Sequence, residues 1–352
     1  MAIKTAKFVL ILSLLLFTFL SGSMPKTLPE TETDASQAII SAQQKLIECY
    51  KKTVEAEKAG ANITELTMRL NEAGDLYSKA TFALKNGHYD LAIQLANQSI
   101  NSLADFADKA AILRNEAIEA QNRDFTFLIF TGIGAIAVIC GGLVIWRLLR
   151  RRYHTFFLMA IFISALILAS PALSRILVYP RTEFFTEMWI LDSNHRAENY
   201  PFNISSGQCY NIYLGIANRL GSCAYYMVQV KFRNSTQPSP TSFGPIDERT
   251  PSNLPSLYNL TFFVADKQAE ERLVTFSINY TVDKVLRKIS LESMKLNDVT
   301  IGLSDYVIEW NSTKNGFYGF LFFELWLHNE NSGRFEYHGR FVGLWLNMTS
   351  SA

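Results

Sequence analysis

The sequence has 352 residues, and its 33 Lys and Arg residues are nearly balanced by 32 Asp and Glu residues, so the net charge is +1 at pH 7. Four of the basic residues are concentrated in one short segment between two apolar runs, and no Lys/Arg patch of the nucleic-acid-binding kind lies outside it. The composition therefore argues against a nucleic-acid-binding protein, and the length leaves room for one helical and one β domain of ordinary size.

The amino-terminal segment, residues 1–24, has the pattern of a secretory signal. Lys4 and Lys7 precede a 13-residue apolar run, Phe8–Leu20, and the small residues Ser21–Ser23 follow it. We expect a signal peptide, although an uncleaved N-terminal anchor fits the same pattern. Residues 25–35 are polar, contain two prolines and are expected to form a flexible leader.

Helical spacing of apolar residues predicts a bundle over residues 36–124. The first helix is expected over Ser36–Gly60, and Asn62 with Glu65 resembles a capping arrangement that starts the second. Asn86-Gly87 should end the second helix because both residues tolerate positive φ.

The third helix is expected to be continuous with a membrane span. It begins near Tyr89, and no Pro or Gly interrupts the sequence from His88 to Thr131. We therefore expect it to run without a break as far as about Tyr153, with the first two helices packed along it as a three-helix bundle.

Two apolar runs carry no charged residue over 125–146 and 155–174, and they predict transmembrane helices at 125–146 and 155–177, separated by the basic loop 147–154. The positive-inside rule places this loop in the cytoplasm and both flanking folded parts outside. The alternative is a buried helical hairpin in a soluble protein. The small residues Ala137 and Gly141 in one run, and Ala165 and Ala169 in the other, should let the two helices approach closely. The loop arginines that set this topology are Arg147, Arg150, Arg151 and Arg152.

Eight Asn-x-Ser/Thr acceptor motifs occur in the chain, and none of them falls in the two apolar runs. This distribution predicts N-glycosylation of an exported protein. The alternative for any single motif is an unmodified polar loop. The acceptors are Asn62, Asn97, Asn203, Asn234, Asn259, Asn279, Asn311 and Asn347.

Residues 181–352 alternate apolar and polar side chains, which predicts short strands separated by turns and by a Pro/Ser-rich loop at Gln237–Pro255. This spacing is typical of an immunoglobulin-like β-sandwich. The fold class is then an α+β membrane protein with a helical bundle, a two-helix transmembrane hairpin and a carboxy-terminal sandwich. The candidate strands are Phe184–Leu191, Gln208–Ala217, Cys223–Phe232, Leu257–Ala265, Arg272–Val282, Arg287–Leu296, Tyr306–Trp310, Gly316–His328 and Arg340–Met348.

Two stretches of this part resemble a known family. They are FTEMWILDSNHRAENYPFNISSGQCYNIYLGIANRLGSCAYYMVQVKF, at Phe185–Phe232, and GRFVGLWLNMT, at Gly339–Thr349. Both are similar to the archaeal membrane-protein family catalogued as domain of unknown function 1616. The resemblance covers about half the chain and implies an archaeal cell-surface protein with an external sandwich domain. It implies no activity, because the family has none assigned.

The sequence predicts no catalytic, cofactor-binding or metal site. Asp192 and His195 lie close together, but no activated-serine elbow accompanies them, and no phosphate loop, dinucleotide fingerprint or paired-cysteine motif occurs. His328, Glu330, Glu336 and His338 flank one hairpin, where solvated side chains are the default and a metal site is the alternative. Cys209 and Cys223 lie in an exported part, where a disulfide is possible, but the turn at 219–221 should hold them too far apart.

Strand parity predicts an aromatic patch on an outer face of the sheet. Asn347 must point to water if it is glycosylated, so Phe341 and Trp345 share its face. Antiparallel pairing about Asn331–Gly333 brings Phe320, Phe322 and Trp326 to the same face. An aromatic patch of this kind tends to mark a contact surface, unless the domain's own loops or its helical bundle cover it. The candidate contact residues are Phe320, Phe322, Trp326, Phe341 and Trp345.

These observations predict a non-enzymatic, membrane-anchored cell-surface protein that presents a helical bundle and an immunoglobulin-like domain outside the cell. Its expected partners are membrane lipid and an envelope or surface protein or a glycan, and neither a cofactor nor nucleic acid is expected. The alternative is an accessory subunit of a membrane enzyme or transporter complex.

Overall fold

The computed structural model describes residues 31–148, 154–176, 183–241, 245, 248–304 and 306–349. The predicted signal peptide and Arg150, Arg151 and Arg152 lie outside the described residues. The chain has α+β architecture, with helices in its first half and a large, mainly antiparallel sheet in its second. The helices are α1 (Glu32–Lys58), α2 (Thr64–Lys85), α3 (Tyr89–Asn101), α4 (Phe106–Leu148) and α5 (His154–Ile176).

Helix α1 begins four residues before the predicted Ser36. Thr31 caps it: the Asp34 backbone N–H donates to Thr31 Oγ1 at 3.3 Å, and the Thr31 backbone N–H donates to Asp34 Oδ2 at 3.1 Å. This reciprocal capping box satisfies amide groups that a helix start leaves unpaired. Part of the predicted leader is therefore helical.

The predicted continuous third helix is broken at residues 102–105, between α3 and α4. Arg69 Nη2 of α2 donates to the Ser102 carbonyl at 2.8 Å, and the Phe106 N–H donates to the Leu103 carbonyl instead. The Ser102 hydroxyl also donates to the Ser99 carbonyl at 2.8 Å. Side chains that enter the i→i−4 ladder in this way bend a helix without Pro or Gly.

The bundle consists of α1, α2, α3 and only the start of α4. Alanines fill much of the space between the first three helices, while Phe106 and Ala110 are the buried residues that α4 contributes to the bundle. Residues 114–124 of α4 are largely exposed. The prediction that two helices pack along the whole third helix is therefore wrong, because contact ends near Leu113.

From Phe125 to Trp146, α4 carries no charged residue. Among the described residues one stretch is long and apolar enough to cross a membrane: Tyr89–Arg147, which covers α3, the break and most of α4. Thr155–Ser170 in α5 is a shorter apolar helix. The two helices contact each other at Gly142, where an added Cβ would lie 2.5 Å from Ile161 Cδ1. Ala165 is buried as expected, but Ala137 and Gly141 are exposed and face away.

The described residues of the carboxy-terminal half form eleven strands, and all nine predicted strands are among them. Their ends are shifted by up to three residues, except that the last strand begins at Arg334, six residues before the predicted Arg340. The two additional strands, β2 and β8, are only three and four residues long. The strands are β1 (Phe185–Leu191), β2 (Asn203–Ser205), β3 (Tyr210–Arg219), β4 (Ala224–Asn234), β5 (Tyr258–Val264), β6 (Ala269–Asp283), β7 (Lys288–Leu296), β8 (Val299–Gly302), β9 (Val307–Asn311), β10 (Gly316–Asn329) and β11 (Arg334–Thr349).

Hydrogen-bonded neighbours follow the order β1-β3-β6-β7-β9-β10-β11-β2, with β4 between β10 and β5, and β8 on β7. All pairs are antiparallel except β11 with β2. The strands on both sides of β9 contribute to one hydrophobic core, which includes Leu214 and Phe276 from one side and Phe232 and Phe323 from the other.

The helices and the sheet share a second core. Tyr50 of α1, Tyr225 of β4 and Phe263 of β5 pack together, with the two tyrosine rings 5.9 Å apart and Tyr225 stacked on Phe263 at 4.2 Å. Asn71 of α2 donates to the Phe263 carbonyl at 3.0 Å and accepts from the Phe263 N–H at 2.7 Å. These contacts fix the bundle against strand β5.

Candidate functional site

The sheet face formed by β4, β10 and β11 carries the aromatic row that strand parity predicts. Phe320 lies directly opposite Trp345, and their ring centroids are 4.9 Å apart. Phe322 stacks on Phe320 at 5.4 Å, and Phe341 lies edge-on to Phe322 at 6.4 Å. The pairing of β10 with β11 therefore brings four of the five candidate residues together.

The loop after β4 covers the middle of this face. The Arg233 guanidinium donates to the Gln237 carbonyl at 2.7 Å, and the Arg249 guanidinium donates to the Gly339 carbonyl at 3.1 Å. Phe322 is fully buried and Phe320 is 8% exposed. These two residues are therefore inside the protein, as the alternative of a loop cover anticipated, and they offer no surface for docking.

Trp326 lies apart from the remaining aromatic residues. A register shift in β10 between Leu325 and Trp326 precedes it, and its ring packs against Tyr337 at 5.7 Å. The predicted patch thus divides into a buried centre and two half-buried margins, one at Trp326 and one at Phe341 and Trp345.

The second margin borders a groove of about 770 Å³ along one edge of β11. Strand β2 pairs with β11 only at Asn347–Thr349, so no described strand pairs with this edge before Asn347. Because the Asn347 N–H donates to the Phe202 carbonyl at 2.6 Å, the backbone groups of Trp345 point towards the same edge. The groove is lined by Ile190, Asn199, Tyr200, Pro201, Phe202, Phe320, Phe341, Val342, Gly343, Leu344 and Trp345.

Two cations flank the aromatic wall of this groove. The Arg233 guanidinium carbon lies 5.2 Å from the Phe320 ring centroid and 5.0 Å from that of Trp345, and Lys314 Nζ lies 5.1 Å from Trp345. Burial lowers the pKa of Arg233, but an arginine remains charged at neutral pH. The groove thus combines aromatic faces, open backbone groups and positive charge.

The eight sequon asparagines all lie within the described residues, and none of them is buried. By contrast, the buried asparagines Asn71 and Asn218 are not in acceptor motifs. Two acceptors are neighbours: Asn203 pairs with Asn347 on adjacent parallel strands, and Asn347 Nδ2 donates to Asn203 Oδ1 at 2.8 Å. Asn203 is exposed, while Asn347 is half-buried.

The hairpin residues considered for a metal do not assemble into a site. No group of three or more potential ligands occurs in the described part of the chain. The Glu336 carboxylate accepts hydrogen bonds from Asn329 and Ser332 of its own turn, and His338 Nε2 lies 2.9 Å from Thr186 Oγ1. His328 is buried between Tyr225 and Phe335, and neither of its ring nitrogens has a hydrogen-bond partner.

Asp192 and His195 have structural roles in one turn. Asp192 Oδ1 accepts the backbone N–H groups of Asn194 and Arg196, each at 2.8 Å. His195 stacks on Tyr213 at 3.8 Å and lies 3.0 Å from Glu271. Local spacing gives no signal for Glu271, which follows 76 residues later and reaches the turn only through the pairing of β3 with β6.

All four cysteines are free, so Cys209 and Cys223 are not bridged. Cys209 is exposed, whereas Cys223 and Cys49 are buried. Burial raises the pKa of Cys49 to about 11 and that of Cys223 well above its usual value. Cys209 is therefore the accessible thiol of the folded part.

No protein-family model matches the chain, and no curated protein matches it.

Proposed function

We propose that this chain is a non-enzymatic, membrane-anchored cell-surface protein. It holds its helical bundle and an immunoglobulin-like β-sandwich outside the cell, where they contact a protein, a glycan or the envelope. The observation that carries the proposal is the position of the eight acceptor asparagines. All of them lie on the surface of the folded part and none on the apolar part of α4 or α5.

The arrangement of α4 supports the membrane anchor. Its exposed residues 114–124 separate the bundle from the apolar segment, and Gly142 allows α5 to pack closely against that segment. In the proposed topology both helices cross the lipid as a hairpin. Arg147, Arg150, Arg151 and Arg152 then remain in the cytoplasm, in agreement with the positive-inside rule.

The strand arrangement supports the sandwich assignment. Strands from both sides of β9 bury their inner faces in one core, and turns of a few residues connect most of them. Together with the resemblance of Phe185–Phe232 to the archaeal family of domain of unknown function 1616, this favours a cell-surface protein whose sandwich lies outside the membrane.

Cysteine labelling of intact cells tests the topology. A membrane-impermeant maleimide should label wild-type protein at Cys209, and Cys209→Ser should abolish the label because Cys49 and Cys223 are buried and Cys140 lies in the apolar part of α4. As a control for the cytoplasmic side, Tyr153→Cys in the Cys209→Ser background should react only after the cells are broken. Labelling of Cys209 only in broken cells would overturn the proposal.

A further inference from the structure

Of the two neighbouring acceptors, Asn203 is the one open to modification. Its side chain is exposed, and only its Oδ1 atom is engaged, as the acceptor from Asn347. The Asn347 amide is confined: Nδ2 donates to Asn203, and Oδ1 lies 2.5 Å from the position that a Cβ on Gly316 would occupy. Two bulky groups cannot both be attached at this point of the sheet, and access favours Asn203.

Asn203 stands at the end of the aromatic groove. It pairs with Asn347 across neighbouring strands, which lie about 4.8 Å apart. Trp345 precedes Asn347 by two residues, so its side chain emerges on the same face roughly 7 Å further along β11. The residues that precede Asn203, Pro201 and Phe202, also line the groove. A chain of sugars that starts at Asn203 therefore begins where the groove begins.

The chemistry of the groove suits a carbohydrate. Phe341 and Trp345 line the groove, and the part of their rings that borders it offers apolar surface to the C–H groups of sugar rings. The backbone N–H and C=O groups of Gly343 and Trp345 point to an edge with which no described strand pairs, so they are available for hydrogen bonds with a ligand. Sugar hydroxyls supply both donors and acceptors. The adjacent Arg233 and Lys314 favour acidic sugars.

We propose that Asn203 carries an N-linked glycan whose first sugars lie in the groove against Phe341 and Trp345, and that Asn347 is not modified. This inference rests on the proposed export of the folded part. The glycan then covers Phe341 and Trp345, so this margin of the predicted contact patch is not available to a partner.

The modification is the transfer of an oligosaccharide from a polyprenyl-phosphate-linked donor. Asn203 Nδ2 attacks C1 of the first sugar, so that the C1–N bond forms while the C1–O bond to the phosphate breaks. The lipid phosphate leaves with the bonding pair, and Nδ2 loses one proton to the transferase. One amide hydrogen remains on Nδ2, and Asn203 Oδ1 can still accept from Asn347.

Site occupancy tests the first half of the proposal. Glycopeptides of the full chain, isolated from its native membranes and analysed by mass spectrometry, should show a glycan at Asn203 and none at Asn347. Ser205→Ala should remove it without altering Asn203, whereas Ser205→Thr should retain it. If the other acceptors are occupied and Asn203 is not, this inference fails while export stands. If all eight are empty, both fail.

Native deglycosylation tests the second half. Without denaturation, glycosidase trimming at Asn203 should be about tenfold slower than at Asn97, which lies on the exposed side of α3. Trp345→Ala should remove the difference and Trp345→Phe should largely restore it. Trp326→Ala, which alters a half-buried aromatic residue outside the groove, should leave the rates unchanged; thermal unfolding confirms that each variant is folded. Equal trimming rates at Asn203 and Asn97 in the wild-type protein would show that the Asn203 glycan does not lie in the groove.

Discussion

Lys231 Nζ lies 2.7 Å from Glu324 Oε2, and the two side chains are only 3% and 0% exposed although they stand on the outer face of the sheet. The covering loop buries them. The Ser252 N–H donates to Glu324 Oε1 at 2.7 Å, and Lys231 Nζ donates to the Ser252 carbonyl at 2.8 Å. The ion pair therefore holds both backbone groups of one loop residue and fixes the loop over Phe322.

Breaking this pair should be costly. Glu324→Gln leaves the Lys231 charge buried without its counterion, and we expect the free energy of unfolding to fall by about 3 kcal/mol. Chemical denaturation in detergent, followed by tryptophan fluorescence, measures this. The double variant Lys231→Met with Glu324→Gln leaves no buried charge, keeps an acceptor for the Ser252 N–H and should recover part of the loss. An equal loss in the single and double variants would show that the two charges are not coupled.

Asn71 replaces a neighbouring strand at the edge of the sheet. Among the described strands β5 pairs with β4 alone, and on its other side the Asn71 amide bonds both backbone groups of Phe263. Asn71→Ala leaves two buried backbone groups without partners, so we expect a loss of about 3 kcal/mol in the free energy of unfolding. Asn97→Ala, at an exposed helical position, should change it by less than about 0.5 kcal/mol. Similar values for both variants would contradict the edge role of Asn71.

Gly74 allows α2 to approach β5 closely. An added Cβ would lie 2.6 Å from Thr261 Cγ2 and 3.3 Å from Phe263 Cε2. Gly74→Ala improves helix propensity by about 1 kcal/mol, but overpacking costs about 1–3 kcal/mol, and we expect net destabilisation in thermal unfolding.

Thr261→Ser provides the matched test of this contact. It removes the Cγ2 methyl group and keeps the hydroxyl, which lies 2.9 Å from Ser78 Oγ. In that background Gly74→Ala should cost less, because the 2.6 Å contact is gone and only the contacts with the Cβ of residue 261 at 3.1 Å and with Phe263 Cε2 at 3.3 Å oppose the gain in helix propensity. If Gly74→Ala costs the same in both backgrounds, the close approach is not what requires a glycine.

Local patterns were sufficient to place most elements. The strand that contains Leu344 alternates buried and half-buried positions near its end, while the strand that contains Phe323 is a run of mostly buried, apolar and aromatic residues. Gly and Asn turns bound both strands, so their positions and their mutual pairing follow from the sequence. The short strands β2 and β8 are too brief to show alternation. The break at Ser102 depends on Arg69, which is 33 residues away in the sequence and gives no local signal.

Exposure was harder to predict than pairing. Parity placed Phe322 on the outer face, but whether that face meets solvent depends on a loop fixed by Lys231 and Glu324, a long-range interaction. Helices α4 and α5 give a second case in which the sequence does not show which residue is exposed. Each residue advances about 100° around a helix, so the exposed Gly141 and the contacting Gly142 look alike in the sequence.

His338 should make stability depend on pH. Burial, with a contribution from the Arg340 charge, lowers the pKa of His338 from 6.5 to about 4. The unfolded chain therefore binds more protons than the native protein between these values, and stability is fully present above pH 6.5 and lost as the pH falls towards 4. We expect a decrease of roughly 3 kcal/mol in the free energy of unfolding across this window.

The measurement is a comparison of wild-type protein with His338→Gln by chemical denaturation at several pH values. Burial also lowers the pKa of His328, so the variant retains a decrease of stability in the same direction. The difference between the two curves isolates His338, whose Nε2 lies beside the Thr186 hydroxyl, itself 2.9 Å from the Tyr226 hydroxyl. Parallel curves would mean that His338 titrates normally in the folded protein.

The contact between α4 and α5 offers an internal control, because Gly141 and Gly142 are adjacent and differ in surroundings. An added Cβ at Gly142 would lie 2.7 Å from Ile161 Cγ1, whereas nothing lies within 4 Å of one at Gly141. Gly142→Leu should therefore separate the helices and lower the thermal unfolding midpoint in detergent, while Gly141→Leu should leave it unchanged. Ile161→Ala makes room at the contact and should partly rescue Gly142→Leu. A membrane helix pair depends on close backbone approach at small residues. If Gly141→Leu and Gly142→Leu lowered the unfolding midpoint equally, the contact would therefore lie on another face of α4.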